Sequence, residues 1–278
     1  MLRLFRQGAQ RASRRSGSGL KVLAAALLAL SAIGAIPHTT NAASVRVLIV
    51  VGPVESSTSS YRDDARQLAA QARSYGASVV EIYSPSATWS RVKAAAQGAN
   101  ILIYLGHGNG WPSPYAPFQT RTKDGLGLNA TSGNGNSNVK YYGEYYLKNY
   151  IRLAPNAVVI LNHLCYSAGN SEPGRANPTK TVAKQRIDNY GAGFLRTGAR
   201  AVFAEPRYNA GYILYSLFKT NRTMKQIFWA SPNATHSYSF SFTSSRTSGM
   251  TAISDPYAPG RYYRSVIGKL DMTASTWR

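Results

Sequence analysis

Cysteine is nearly absent from this chain: its 278 residues include one, Cys165. A single thiol has no partner within the chain, which excludes an intrachain disulfide framework. Acidic side chains are scarce too, with 11 Asp and Glu against 32 Lys and Arg for a formal net charge of +21. No apolar run reaches the roughly 20 residues that a membrane-spanning helix needs. No internal repeat is visible, so solenoid and propeller architectures have no support. The basic residues are spread along the chain rather than clustered with interleaved aromatics, and no specific nucleic-acid partner is expected. With 44% of residues hydrophobic and 15% charged, disorder is excluded as the overall state. The composition suits one α/β domain with a substantial core, or at most two small ones.

Part of the charge sits at the start. Arg3, Arg6, Arg11, Arg14, Arg15 and Lys21 precede an apolar stretch, Val22 to Ile36, and small residues follow at Thr40-Asn41-Ala42-Ala43. A basic region, an apolar stretch of about 15 residues and a small-residue site form the pattern of a cleaved export signal. Residues 1–42 are therefore expected to be a signal peptide and the protein to be secreted or extracytoplasmic, with no transmembrane span in the mature chain. Removing them takes six basic and no acidic side chains and leaves 26 Lys and Arg against 11 Asp and Glu, a net of +15. Such a field favours anionic partners, among them a cell-wall or surface polymer.

From Ser44 onward the pattern alternates. VRVLIVV at 45–51, NILIYLG at 100–106, AVVILNHLC at 157–165 and ARAVFAE at 199–205 are continuous apolar runs, the signature of strands buried on both faces. ASVVEIYS at 77–84 reads as a strand too, the second in chain order. Amphipathic stretches at 62–75, 88–97, 141–153 and 182–197 read as helices, and 209–229 gives two more. The segment 107–139 is rich in Gly, Pro, Asn and Ser and reads as a long surface excursion. Residues 232–278 read as a β-like C-terminal extension of the domain spanning 43–278. The expected fold is a three-layer α/β/α sandwich with a mostly parallel sheet. In such sheets ligands bind at the carboxyl ends of the strands.

Two residues fall at those ends. His107 follows the third strand, in Leu105-Gly106-His107-Gly108, and Cys165 closes the fourth, in Asn162-His163-Leu164-Cys165. Acyl transfer needs a nucleophile and a proton-managing group held close together. Cysteine with an adjacent imidazole meets that need, and Gly108 lets main chain approach a substrate.

An apolar block ending in His-Gly, followed 58 residues later by one ending in Cys, resembles the caspase-like cysteine peptidases. That group holds caspases, metacaspases, gingipains, legumains and the CHAT peptidases. Gly191-Ala192-Gly193-Phe194-Leu195-Arg196-Thr197-Gly198-Ala199 adds a segment similar to the helix-to-strand passage of CHAT domains. The likeness covers about residues 45–230. It implies a caspase-hemoglobinase-like fold with His107 as general acid/base, Cys165 as nucleophile and the N–H groups of Gly108 and Cys165 as oxyanion donors. It implies a protein or peptide substrate and no cofactor or metal.

His163, placed by strand period on the same face as Cys165, is a candidate wall of the substrate pocket. The related peptidases carry glutamine or aspartate there, so specificity does not transfer. A zinc site made of His107, His163 and Cys165 is the alternative, but it lacks a clear fourth ligand. Asp124 is a candidate for orienting His107 or binding a basic substrate group, against its reading as a turn residue. Glu205, at the end of the fifth strand, is a candidate substrate contact. Tyr141, Tyr142, Tyr145 and Tyr146 read as an aromatic stripe of a helix on the sheet, and His236 as incidental. Two functions follow. One is a secreted cysteine endopeptidase, and the other is a non-catalytic envelope protein of the same fold that binds an anionic wall polymer.

Overall fold

Every interior strand alternates its apolar side chains between two faces, and each face is covered. In β1 (Arg46–Val51) Leu48 and Val50 point into one core, while Val47, Ile49 and Val51 point into the other. The same division recurs along the strands that follow. The computed structural model describes residues 44–278. The signal peptide expected at 1–42 lies outside the described residues.

In chain order, β1 leads through a short 3-10 turn at Glu55–Ser57 into α1 (Thr58–Ser74), β2 (Ser78–Tyr83), α2 (Trp89–Ala96) and β3 (Ile101–Leu105). Next come β4 (Leu126–Asn129), β5 (Val139–Tyr142), α3 (Glu144–Tyr150), β6 (Val158–Asn162), α4 (Lys180–Leu195) and β7 (Ala201–Glu205). The chain closes with α5 (Gly211–Lys219), α6 (Met224–Trp229), β8 (Phe240–Thr243), β9 (Thr251–Ser254), β10 (Ser265–Gly268) and α7 (Ala274–Trp277). The main sheet has eight strands in the order β2-β1-β3-β6-β7-β10-β9-β8. The first five are parallel and the last three join antiparallel. One face packs on α2, α3 and α4 through Val92, Leu147 and Phe194; the other packs on α1, α5, α6 and α7 through Leu68, Ile213, Ile227 and Trp277. This is the expected three-layer α/β/α sandwich with a mostly parallel sheet.

Burial of one such aliphatic side chain is worth about 1.5–3 kcal/mol, so the two covered faces carry most of the stabilisation. Local signals set the helix starts. Thr179 accepts from the Val182 N–H at the start of α4, and Thr223 and Gln226 form a capping box at α6. The apolar positions of α1, Ala65, Leu68, Ala69 and Ala72, repeat at helical spacing and face the sheet.

Three expectations need correction. The segment 107–139 is not wholly a surface excursion: Lys123 to Asn129 are buried, and β4 pairs antiparallel with β5 in a separate two-stranded sheet. The Tyr104 hydroxyl ties that sheet to β3. It accepts the Gly127 N–H at 2.8 Å and donates to the carbonyl of Gly127 or of His107, at 2.8 and 3.1 Å. The helix expected over 141–153 begins only at Glu144, because Tyr141 and Tyr142 belong to β5. The C-terminal residues are not an appendage, since their strands complete the main sheet.

Candidate active site

The adjacent parallel strands β1, β3 and β6 end at one edge of the sheet, and the loops leaving them meet there. His107 leaves β3 two residues after its end, and its Nε2 stands 3.1 Å from Glu55 Oε2. Glu55 lies in the loop after β1 with a positive φ of 45°. Its N–H bonds to the Asn136 carbonyl at 2.9 Å, which fixes the turn. Glu55 was not singled out from the sequence. The signal available was an acidic residue four positions beyond a fully buried parallel strand, in a loop at the carboxyl edge.

Cys165 comes three residues after β6 and is half-buried. A methyl group on Gly108 would stand 1.9 Å from the Cys165 carbonyl oxygen and 3.0 Å from its nitrogen. The two main chains therefore touch, and only glycine fits. Neither the Gly108 nor the Cys165 N–H has an acceptor among the described residues. His107, Gly108 and Cys165 line one open cavity of about 840 Å³ together with Glu55, Tyr141 and Glu172. The structure thus brings His107, Gly108 and Cys165 to a shared opening.

The thiol is not a thiolate at rest. Burial, and after it the Glu172 carboxylate, push Cys165 up to about 11. Glu172 is held by the Tyr115 hydroxyl, which donates to its Oε2 at 2.9 Å, and by Arg175, 3.9 Å away. It borders both the large cavity and a smaller one of about 280 Å³ that also reaches Cys165.

His163 lines the smaller cavity, but not for the reason expected. β6 stops at Asn162, whose side chain donates to the carbonyls of Glu205 and Tyr208 at 2.6 and 2.8 Å. His163 then turns with a φ of 61°, so strand period does not govern it. Its Nε2 is 3.1 Å from Asp64 Oδ2 of α1, and its ring stacks on Tyr61 with centroids 4.8 Å apart. Burial raises the Tyr61 phenol, and Tyr61, His163 and Cys165 line the same cavity.

Two candidates do not reach the opening. Asp124 is buried, and its Oδ1 accepts the Trp111 N–H at 3.0 Å while Oδ2 has no partner among the described residues. It neither touches His107 nor faces substrate. Burial pushes its carboxyl up to about 8. Glu205 is fully buried, paired with Arg264 at 3.1 Å and hydrogen-bonded by Tyr212. Its role is to join β7 to the strands on the antiparallel side.

Tyr141 lines the large cavity, whereas Tyr142 and Tyr146 pack with Trp89. His236 stacks on Trp229 with centroids 4.4 Å apart. The two site histidines each face a carboxylate, and no group of three His, Cys, Asp or Glu able to hold a metal occurs among the described residues. No helix among them is long and apolar enough to cross a membrane.

Fold and opening together define the class: a three-layer α/β/α protein with a histidine and a cysteine on one cleft. No family model matches the chain, and no curated protein matches it in sequence. Among solved structures, the crystal structure of the Arg-specific cysteine proteinase gingipain R is similar over 84% of this chain, at 14% identity and a TM-score of 0.34. This chain spans 62% of that one.

Proposed function

We propose that the protein is a secreted cysteine endopeptidase in which Cys165 attacks a peptide carbonyl and His107 manages the protons. The observation that carries this reading is the close apposition of the Gly108 and Cys165 main chains. In its support, His107, Gly108 and Cys165 line the same cavity, and the Gly108 and Cys165 N–H groups have no acceptor among the described residues. As the Cys165 sulfur bonds to the carbonyl carbon, its proton passes to the His107 imidazole, which Glu55 holds in orientation. The N–H groups of Gly108 and Cys165 stabilise the oxyanion. Breaking the carbon–nitrogen bond sends that proton to the departing amine. Water, deprotonated by His107, then hydrolyses the thioester. Because the resting thiol titrates at about 11, proton removal accompanies attack rather than preceding it.

The test is cleavage of a peptide library by wild type and by Cys165→Ala. Cleavage by the wild type alone is expected. Equal cleavage by both proteins removes Cys165 from the mechanism.

The protonated thiol also favours a second reading, a non-catalytic envelope protein that binds an anionic wall polymer through its basic surface. On that reading Cys165 alkylates only after denaturation, and salt-sensitive binding to the polymer survives Cys165→Ala unchanged.

A further inference from the structure

α2 and α3 cover one face of the sheet and carry an aromatic cluster that lines neither cavity at Cys165. Trp89 of α2 stacks on Tyr142 of β5 with centroids 4.8 Å apart, and meets Tyr146 and Tyr150 of α3 edge-on at 5.4 and 6.4 Å. Tyr145 adds its ring edge-on to Tyr146 at 5.5 Å. Trp89, Tyr142 and Tyr146 also pack on the core, which accounts for their presence. Tyr145 and Tyr150 do not, and Tyr150 is 46% exposed. The face is braced from below. At the end of α2 the Gln97 side chain donates to the Tyr150 carbonyl at 3.0 Å and accepts the Arg152 N–H at 3.1 Å.

Cations sit among these rings. The Arg121 guanidinium lies over Tyr145, 4.3 Å from its centroid, and the Lys140 ammonium over Tyr142 at 5.7 Å. Lys93 is one helical turn from Trp89, and Lys148 one turn from Tyr145. None of the four forms an ion pair among the described residues. Between Glu81 and Glu172 the chain has two acidic residues, Asp124 and Glu144. Both are buried, so α2, β5 and α3 show no carboxylate to offset the charge.

We propose that this face binds an acidic polysaccharide, a chain of sugar rings bearing carboxylate groups. Tyr145 and Tyr150 would carry the sugar rings, and Arg121, Lys140, Lys93 and Lys148 the carboxylates. The inference rests on the polymer-binding reading, to which it gives a surface and a ligand chemistry, and it makes no use of Cys165. A phenol ring offers a flat apolar face with a hydroxyl at its rim, which matches the apolar face and hydroxyl rim of a pyranose. A guanidinium stacked on a ring keeps its edge free to donate to a carboxylate. The bracing by Gln97 means that little ordering has to be supplied on binding. A nucleobase fits less well: Trp89, the largest ring, has one face covered by Tyr142 and its surroundings filled by Tyr146 and Tyr150, which leaves no open platform for a base.

The test is calorimetry with two acidic glycan oligosaccharides, of hyaluronan and of polygalacturonate, against a chitin oligosaccharide (rings without charge), polyphosphate (charge without rings) and oligo(dT). At least one acidic glycan is expected to bind about tenfold or more tightly than each of the other three, since charge-assisted pairing and ring contact act together. Tyr150→Ala and the double variant Arg121→Gln/Lys148→Gln, all on the surface, should each weaken that binding about fivefold or more. Lys269→Gln, beyond the end of β10, controls for the general basic field and should leave it unchanged. Binding of an acidic glycan that the α2/α3 variants do not weaken overturns the inference and leaves the polymer reading standing. Binding of neither acidic glycan overturns both. Equal binding of polyphosphate reduces the effect to net charge, and tighter binding of oligo(dT) assigns the face to nucleic acid; either result overturns the inference.

Discussion

His107 and His163 each stand 3.1 Å from a carboxylate, Glu55 and Asp64 respectively, and both border Cys165 through different cavities. Their surroundings differ. His107 sits just past a fully buried strand, and its ring is one-third exposed in the larger cavity. His163 sits on a left-handed turn, held against α1 by stacking on Tyr61 and by Asp64, with a side chain 20% exposed. An imidazole that must accept and release a proton needs access to the reacting groups. One pinned against an aromatic ring serves better as a wall. On the proposed reading, the same pair of residue types gives a proton carrier in the larger cavity and a wall in the smaller one.

The sharpest way to break this comparison is to remove each ring. His107→Ala should lower kcat/KM by about 10²–10⁴-fold, the range for a general acid–base group. His163→Ala should act mainly on KM, and a larger loss of kcat from His163→Ala than from His107→Ala would exchange their roles. The orienting carboxylates give the next effect. Glu55→Gln should cost up to about 10²-fold in kcat through misplacement of the ring, whereas Asp64→Asn should leave kcat within a few-fold.

Glu172 touches both sides, and its removal sharpens the contrast further. Because its charge contributes to holding Cys165 up at about 11, Glu172→Gln should lower the thiol pKa. Each unit of that fall raises the thiolate fraction about tenfold at neutral pH. Iodoacetamide alkylation of the folded protein followed against pH reads this directly, and an unmoved profile would show that Glu172 does not control the thiol. The smallest effect expected concerns the segment between His107 and β4. Burial raises the Asp124 carboxyl from 3.8 to about 8. Between those values the unfolded chain has released a proton that the folded chain keeps, so stability falls as pH rises through this window. Asp124→Asn preserves an acceptor for the Trp111 N–H and should flatten that slope in denaturant titrations between pH 4 and 8.

The parallel half of the sheet was legible because a strand covered on both faces has to be written as an unbroken apolar run. NILIY at 100–104 and AVVIL at 157–161 admit no other reading once turns flank them. His107 and Cys165 were legible by the same logic, since the edge where ligands bind is where such runs stop. The remainder depended on partners distant in the chain. Glu55 acquires meaning only when β1 and β3 lie side by side. His163 looked like a strand residue because nothing local announces its left-handed turn, which is held by Asn162 bonding across to Glu205 and Tyr208. Glu205 looked available at a strand end and Asp124 at a turn, yet Glu205 is buried against Arg264, far along the chain, and Asp124 beneath the Trp111 loop. Residues 232–278 read as β-like, but strands as short as Phe240–Thr243 carry too few apolar residues to be placed in a sheet by pattern alone.

The buried Arg264 bridges Glu205 at 3.1 Å and Asp255 at 2.7 Å, just before β10 lies down along β7. A chain halted before Tyr263 would lack that cation, leaving an acidic group in an apolar wall and β7 as a naked border. Such borders recruit other polypeptides into aggregates. During synthesis, the interval before the final segment emerges is therefore the period when this chain is most open to such pairing.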